Sequence, residues 1–217
     1  MFRFTINASD WADLVTAAAF AGTDLARPIL MGVFFEITRT GDEVTVKAIA
    51  TDSYKLATIE RGGTTYAGES NTLEGIADGE TVTALISAKG LTAASKAAIK
   101  DAGKNGGLRV TVDPEHGRAV IAGYYGTSLE YPAELVDGTY PAISNAIPAD
   151  SFYLNSNGVT GIGLNPHFVG LFAKLAPWSA KSPTDSARFE FIDESRPIRV
   201  ASRDGRTKAY LMPVRVM

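Results

Sequence analysis

The stretch Thr81-Val-Thr-Ala-Leu-Ile-Ser87-Ala-Lys89-Gly-Leu91-Thr-Ala-Ala94-Ser-Lys96-Ala-Ala98-Ile-Lys100-Asp-Ala102 changes its hydrophobic period halfway along. Residues 81–86 read as a strand, Ser87 as a helix cap and residues 89–102 as a helix. Strands follow at 108–112, 119–124 and 128–135, and Asp113-Pro-Glu-His-Gly117 has the composition of a hairpin turn between the first two. The local order is therefore β-α-β-β-β.

That order recurs on both sides. Upstream, Phe2, Phe4 and Ile6 alternate with polar residues as in a half-buried strand. Ser9-Asp10 is read as the cap of a helix carrying Trp11, Leu14, Val15 and Ala18 on one face. Strands are predicted at 32–38, 43–50 and 54–60. Downstream, a strand is predicted at 161–164, followed by Asn165 as cap and Pro166 at the favoured first helical position. Phe168, Leu171, Phe172 and Leu175 fall at i, i+3, i+4 and i+7, and strands are predicted at 188–192, 197–202 and 209–214. The caps Ser9, Ser87 and Asn165 stand 78 residues apart each time (87 − 9 and 165 − 87), the spacing of a repeated unit. The fold class is α+β, with connectors at 62–79 and 137–156.

The chain has 217 residues, 45% of them hydrophobic, which suffices for one large or two small domains. No apolar run approaches the ~18 to 20 residues that span a bilayer, and residues 2–10 alternate and carry charge, unlike a signal peptide. The expected location is the cytoplasm, with no membrane partner. The absence of cysteine excludes disulfides, thiolate metal sites and cysteine nucleophiles. A net charge of -3 argues against gripping nucleic acid with the whole surface, so any phosphate contact must be local. One stripe qualifies: Lys89, Lys96 and Lys100 stand at i, i+7 and i+11, within about 20° of one line on a helix. Leu91, Ala94 and Ala98 fall on the opposite, packing side, so the lysines face outward.

No catalytic constellation stands out. His116 sits in the predicted turn and His167 in the first turn of a helix, and neither has metal-ligand spacing. Residues 103–107 and 161–163 are glycine-rich but lack the order that cradles phosphates. Asp52, after a strand, suits a turn better than acid-base work. The reading is a non-enzyme without metal or cofactor.

A set of ordered motifs then carries a resemblance. Arg27-Pro-Ile-Leu-Met-Gly-Val-Phe-Phe-Glu-Ile37, Ala50-Thr-Asp-Ser-Tyr-Lys-Leu-Ala57, Ile86-Ser-Ala-Lys-Gly-Leu91 and Leu135-Val-Asp-Gly-Thr-Tyr-Pro141 with Ile147-Pro148 resemble the middle domain of the bacterial β sliding clamp. Ile162-Gly-Leu-Asn165 and Tyr210-Leu-Met-Pro-Val-Arg215 are similar to the second half of that family's last domain. The family's first domain has no counterpart here, and a chain this short fits a phage or other mobile-element origin.

The resemblance implies a clamp fold, with helices lining a ring and antiparallel sheets outside. It implies a complete two-unit domain over 1–148 and a single unit over 149–217 that a neighbouring chain completes. Lys89, Lys96 and Lys100 would line the hole and contact double-stranded DNA without sequence preference, and Lys174, with Lys104 and Lys181, would extend that lining. Resembled clamps close with twelve units, so three per chain favour a tetrameric ring of identical chains over a trimer or dimer. In that family a replicative DNA polymerase and the clamp loader insert a peptide into a hydrophobic cleft. The matching positions are Leu30, Thr51, Ser53, Tyr54, Lys55, Leu56, Pro148, Met212, Pro213, Val214, Arg215 and Val216. Tyr54 replaces the usual His and Ser53 the usual Gly, so peptide preference should differ. Two other classes stay open: a small α+β hydrolase or ligand-binding protein, and a clamp-like decoy that binds such peptides without forming a ring.

Overall fold

The computed structural model describes residues 1–63, 74–124, 129–154, 162–175, 178 and 187–214. The first unit runs β1 (Phe2–Asn7), α1 (Ala8–Val15), β2 (Gly32–Thr40), β3 (Glu43–Thr51) and β4 (Lys55–Gly63). The second runs β5 (Thr81–Ser87), α2 (Ala88–Ala102), β6 (Gly107–Asp113), β7 (Arg118–Gly123) and β8 (Glu130–Glu134). A short α3 (Asp150–Leu154) precedes the third unit, which has α4 (Pro166–Leu171), β9 (Arg188–Glu190), β10 (Ile198–Ala201) and β11 (Thr207–Leu211).

In each unit the last three strands form an antiparallel meander, as their turn chemistry requires. The first strands are exchanged. β1 of the first unit pairs with β6 of the second, and β5 of the second pairs with β2 of the first. This exchange locks the two units together about a pseudo-twofold axis. It yields one sheet ordered β1-β6-β7-β8 and another ordered β5-β2-β3-β4, and the second is extended by β11-β10-β9 because β11 pairs with β4. The sheet therefore runs unbroken from residues before position 148 to residues after it.

Alternation along β1 and the helical period of α1 and α2 bury Phe4, Ile6, Trp11, Leu14, Phe35 and Leu91 in one core. Burying each such side chain contributes about 1.5–3 kcal/mol. Trp11 stacks on Phe35 at 5.4 Å, and its Nε1 donates to Ser95 Oγ on α2 at 2.8 Å, joining the two helices.

Several details differ from the sequence expectation. α1 starts directly from β1, with Asn7 rather than Ser9 at the cap position; the Asn7 amide donates instead to the Asp10 carboxylate at 3.3 Å. The first cap spacing is thus 80 (87 − 7), while the second, from Ser87 to Asn165, remains 78. That second spacing is structural. Val136 N donates to Leu85 O at 2.9 Å, and, shifted by the same 78 residues, Val214 N donates to Gly163 O at 2.9 Å. Gly161 and Ser128 lie outside the described residues, and 162–164 form no strand, because the exchange partner that β5 finds in β2 has no counterpart beside them. The connector predicted at 62–79 is not wholly exposed: Ile76 is buried, and Glu74 pairs with Arg3 across the edge of β1.

Candidate functional site

After β8 the chain crosses the face of the long sheet through residues 139–149, and a cleft of about 680 Å³ opens beside this crossing. One wall is the turn between β3 and β4. Asp52 Oδ1 accepts from Tyr54 N and Lys55 N, both at 2.9 Å, and Thr51 Oγ1 donates to Lys55 O at 2.7 Å. Asp52 is therefore a turn-forming carboxylate. The turn holds Ser53 at φ +82°, a left-handed conformation that favours glycine. Arg27 Nη1 donates to Ser53 Oγ at 3.0 Å and tethers the turn to the 3-10 turn Pro28–Met31.

Leu30, Thr51, Ser53, Tyr54, Lys55, Leu56 and Met212 all line this cleft. Tyr54 and Met212 present exposed apolar surface at its mouth. Met212 N donates to Tyr54 O at 2.9 Å, so the two sides are joined by backbone. Lys55 differs from its assigned role. Its ammonium is buried, donates to Phe20 O at 2.8 Å and pairs with Asp52 at 3.0 Å, so its charge is satisfied internally. Pro148 lines a separate cleft on the other side of the crossing segment. Pro213 and Val214 line neither, and Arg215 and Val216 lie outside the described residues.

The sequence reading missed Ile29, Ile143, Ile147 and Tyr210, which supply much of the apolar lining. Ile143 and Ile147 stand four residues apart around the 3-10 turn Ile143–Asn145, a spacing that was legible within the connector. Beneath, Leu56, Tyr153 and Tyr210 pack with both isoleucines. Burial pushes the Tyr153 and Tyr210 phenols above their usual pKa, and the Arg199 guanidinium, paired with Glu190 and Asp150, lies 4.1 Å over the Tyr153 ring. Beside Arg27, which lines the cleft, Asp24 is held below the usual carboxylate range by the Ala26 N–H and by Arg27. The cleft can thus bury apolar groups, since the one buried ammonium beside it, Lys55, is already satisfied.

The lysines occupy a different surface. Lys89, Lys96 and Lys100 are exposed along α2, opposite buried Leu91, Ala94, Ser95 and Ala98. Lys104 is exposed just beyond the helix, and Lys181 lies outside the described residues. Lys174 is exposed at the end of the 3-10 turn that continues α4, and the 78-residue shift places it at the position of Lys96. α1, by contrast, carries no lysine or arginine.

No family model and no curated protein matches the sequence. Solved structures do match, and they define the class: the chain has the fold of a bacterial DNA polymerase III β sliding clamp. The Caulobacter crescentus β sliding clamp aligns with 99% of this chain at TM-score 0.70 and 16% identity. The DnaN sliding clamp of Pseudomonas aeruginosa, solved bound to griselimycin, aligns with 99% at TM-score 0.70 and 14% identity, and that of Bacillus subtilis with 99% at 0.68 and 17%. This chain spans 65%, 65% and 64% of the lengths of those three chains. Among the described residues, no helix is long and apolar enough to cross a membrane.

Proposed function

We propose that this chain is a sliding clamp: a non-enzymatic processivity factor that encircles double-stranded DNA as a ring of identical chains. The observation that carries the reading is α2, where three exposed lysines line one face of a helix in a chain of net charge -3. Ammonium groups on flexible stems attract phosphate as point charges, and such contact is sequence-independent and salt-sensitive, as sliding requires. Residues 1–148 act as a complete two-unit domain, and 149–217 as a unit that a neighbouring chain completes. Four chains supply the twelve units of a ring.

The cleft beside residues 139–147 receives a short peptide from a replicative polymerase or a clamp loader. Because a closed ring cannot leave a circle, modest peptide affinity becomes a high effective concentration of polymerase at the DNA. No bond is made or broken.

The test is retention on nicked circular duplex in gel filtration, before and after linearisation. Retention on the circle with loss on cutting is expected. Equal retention on circular and linear DNA would overturn encirclement.

A further inference from the structure

The third unit is a copy of the second without the first, and this identifies the surface on which the assembly depends. In the second unit a row of facing residues crosses the sheet from Val110 on β6 through Ile121 on β7 to Tyr131 on β8. The corresponding row in the third unit is Phe189, Val200 and Ala209 on β9, β10 and β11. In the second unit the row continues onto the first strand of the companion unit, where Phe4 faces Val110. By the pseudo-twofold, Ala84 of β5 faces Phe35 of β2 in the other direction. In the third unit, among the described residues, no strand pairs with the outer edge of β9.

The consequences are visible in burial. Phe4 and Val110 are 1% and 0% exposed, whereas Phe189 is 40% exposed although its ring lies edge-on to Phe172 at 5.8 Å. The segment that should act as the exchanged strand, among the described residues, also pairs with no strand. Gly163 accepts from Val214 as Leu85 accepts from Val136, so Ile162 stands at the position of Ala84, yet it pairs with no strand. An unpaired edge and an unused strand of the same unit are each what the other lacks, but in the complete domain such exchange always runs between two units.

We infer that the third units of two chains pair about a true twofold axis, each giving its 162–164 segment to the other's β9, with Ile162 of one chain facing Phe189 of the other. The occupant is a second copy of this chain, because the pairing repeats the exchange that joins the first two units. The inference rests on the clamp reading and specifies its interface. With β11 already joined to β4, rings then close where the outer edges of β8 from two such pairs meet.

The absence of cysteine makes the test direct. Ile162→Cys and Phe189→Cys chains are coexpressed and oxidised, and native mass is measured alongside. A disulfide-linked dimer from the mixture, with little from either variant alone, is expected. Phe189→Glu should lower the native mass while leaving circular dichroism unchanged. A multimer that yields no cross-link and ignores Phe189→Glu would overturn the twofold pairing but leave the ring standing. A cross-linked dimer that is never retained on circular DNA would keep the pairing and remove the clamp function. A strict monomer at micromolar concentration would overturn both.

Discussion

Strands β8 and β11 hold the same place in two copies of one unit, yet among the described residues β11 pairs with a strand along its outer edge and β8 does not. Bonds from Glu60 N to Arg206 O and from Met212 N to Tyr54 O set the register, so that Lys208 and Tyr210 point their backbone groups at β4. On β8, Leu135 N donates to Gly117 O, which turns the odd residues toward β7 and leaves Glu130, Pro132 and Glu134 facing outward. The 78-residue shift carries those three onto Lys208, Tyr210 and Met212. Pro132 has no N–H to offer, and carboxylates flank it. An edge of that kind holds a further strand only weakly. One architecture thus makes a joint or a guarded edge according to a few residues.

The comparison breaks most severely at Tyr210, which is buried against Leu56 of β4. Tyr210→Pro imposes the chemistry of β8 on β11, removing a ladder donor and a buried aromatic side chain; a loss of about 4 kcal/mol is expected. Urea unfolding followed by fluorescence checks it, and an unchanged transition would mean that this strand does not hold the third unit. A second contrast concerns the helices. Replacing Lys89, Lys96 and Lys100 by Ala should lower the slope of log affinity for duplex against log salt by roughly 0.9 for each phosphate no longer neutralised. Lys174→Ala should match Lys96→Ala if both units line the same wall; a silent Lys174→Ala places the third helix away from the duplex.

Smaller effects separate the two caps. Asn165 Oδ1 accepts from His167 N at 2.9 Å, whereas Ser87 makes no side-chain cap bond. Asn165→Ala should cost about 1 kcal/mol and Ser87→Ala only a few tenths, measured by thermal unfolding. Equal losses would show that the two helix starts are alike in solution. The smallest expected change is a gain: Pro132→Tyr restores a donor at the β8 edge and should raise the population of higher multimers in sedimentation.

β1 was legible because it has one buried face, which the alternation of Phe2, Phe4 and Ile6 records directly. Asn165 was legible because an Asn followed by Pro is a strong helix start, while Ser9 misled because α1 leaves β1 without a turn. Residues 162–164 carry the pattern of a strand but form none, since a strand exists only with a partner and the pattern cannot say where the partner is. For the cleft, residues on the β3–β4 turn could be aligned with a resembled motif. Ile143, Ile147 and Tyr210 come together only because the crossing segment lies over β4 and β11. Lys55 shows the limit of such alignment: its position matches the resembled cleft, and only the carbonyls of Phe20 and Ala21 reveal its ammonium as interior.

Pro132 also bears on how DNA enters. A closed hoop cannot be threaded by a circle, so some seam must part. In a ring of the proposed kind the seam between two β8 edges lacks a central donor on each side and sets Glu130 of each chain against Glu134 of the other. That seam should yield first, admitting duplex while the twofold pairs stay intact.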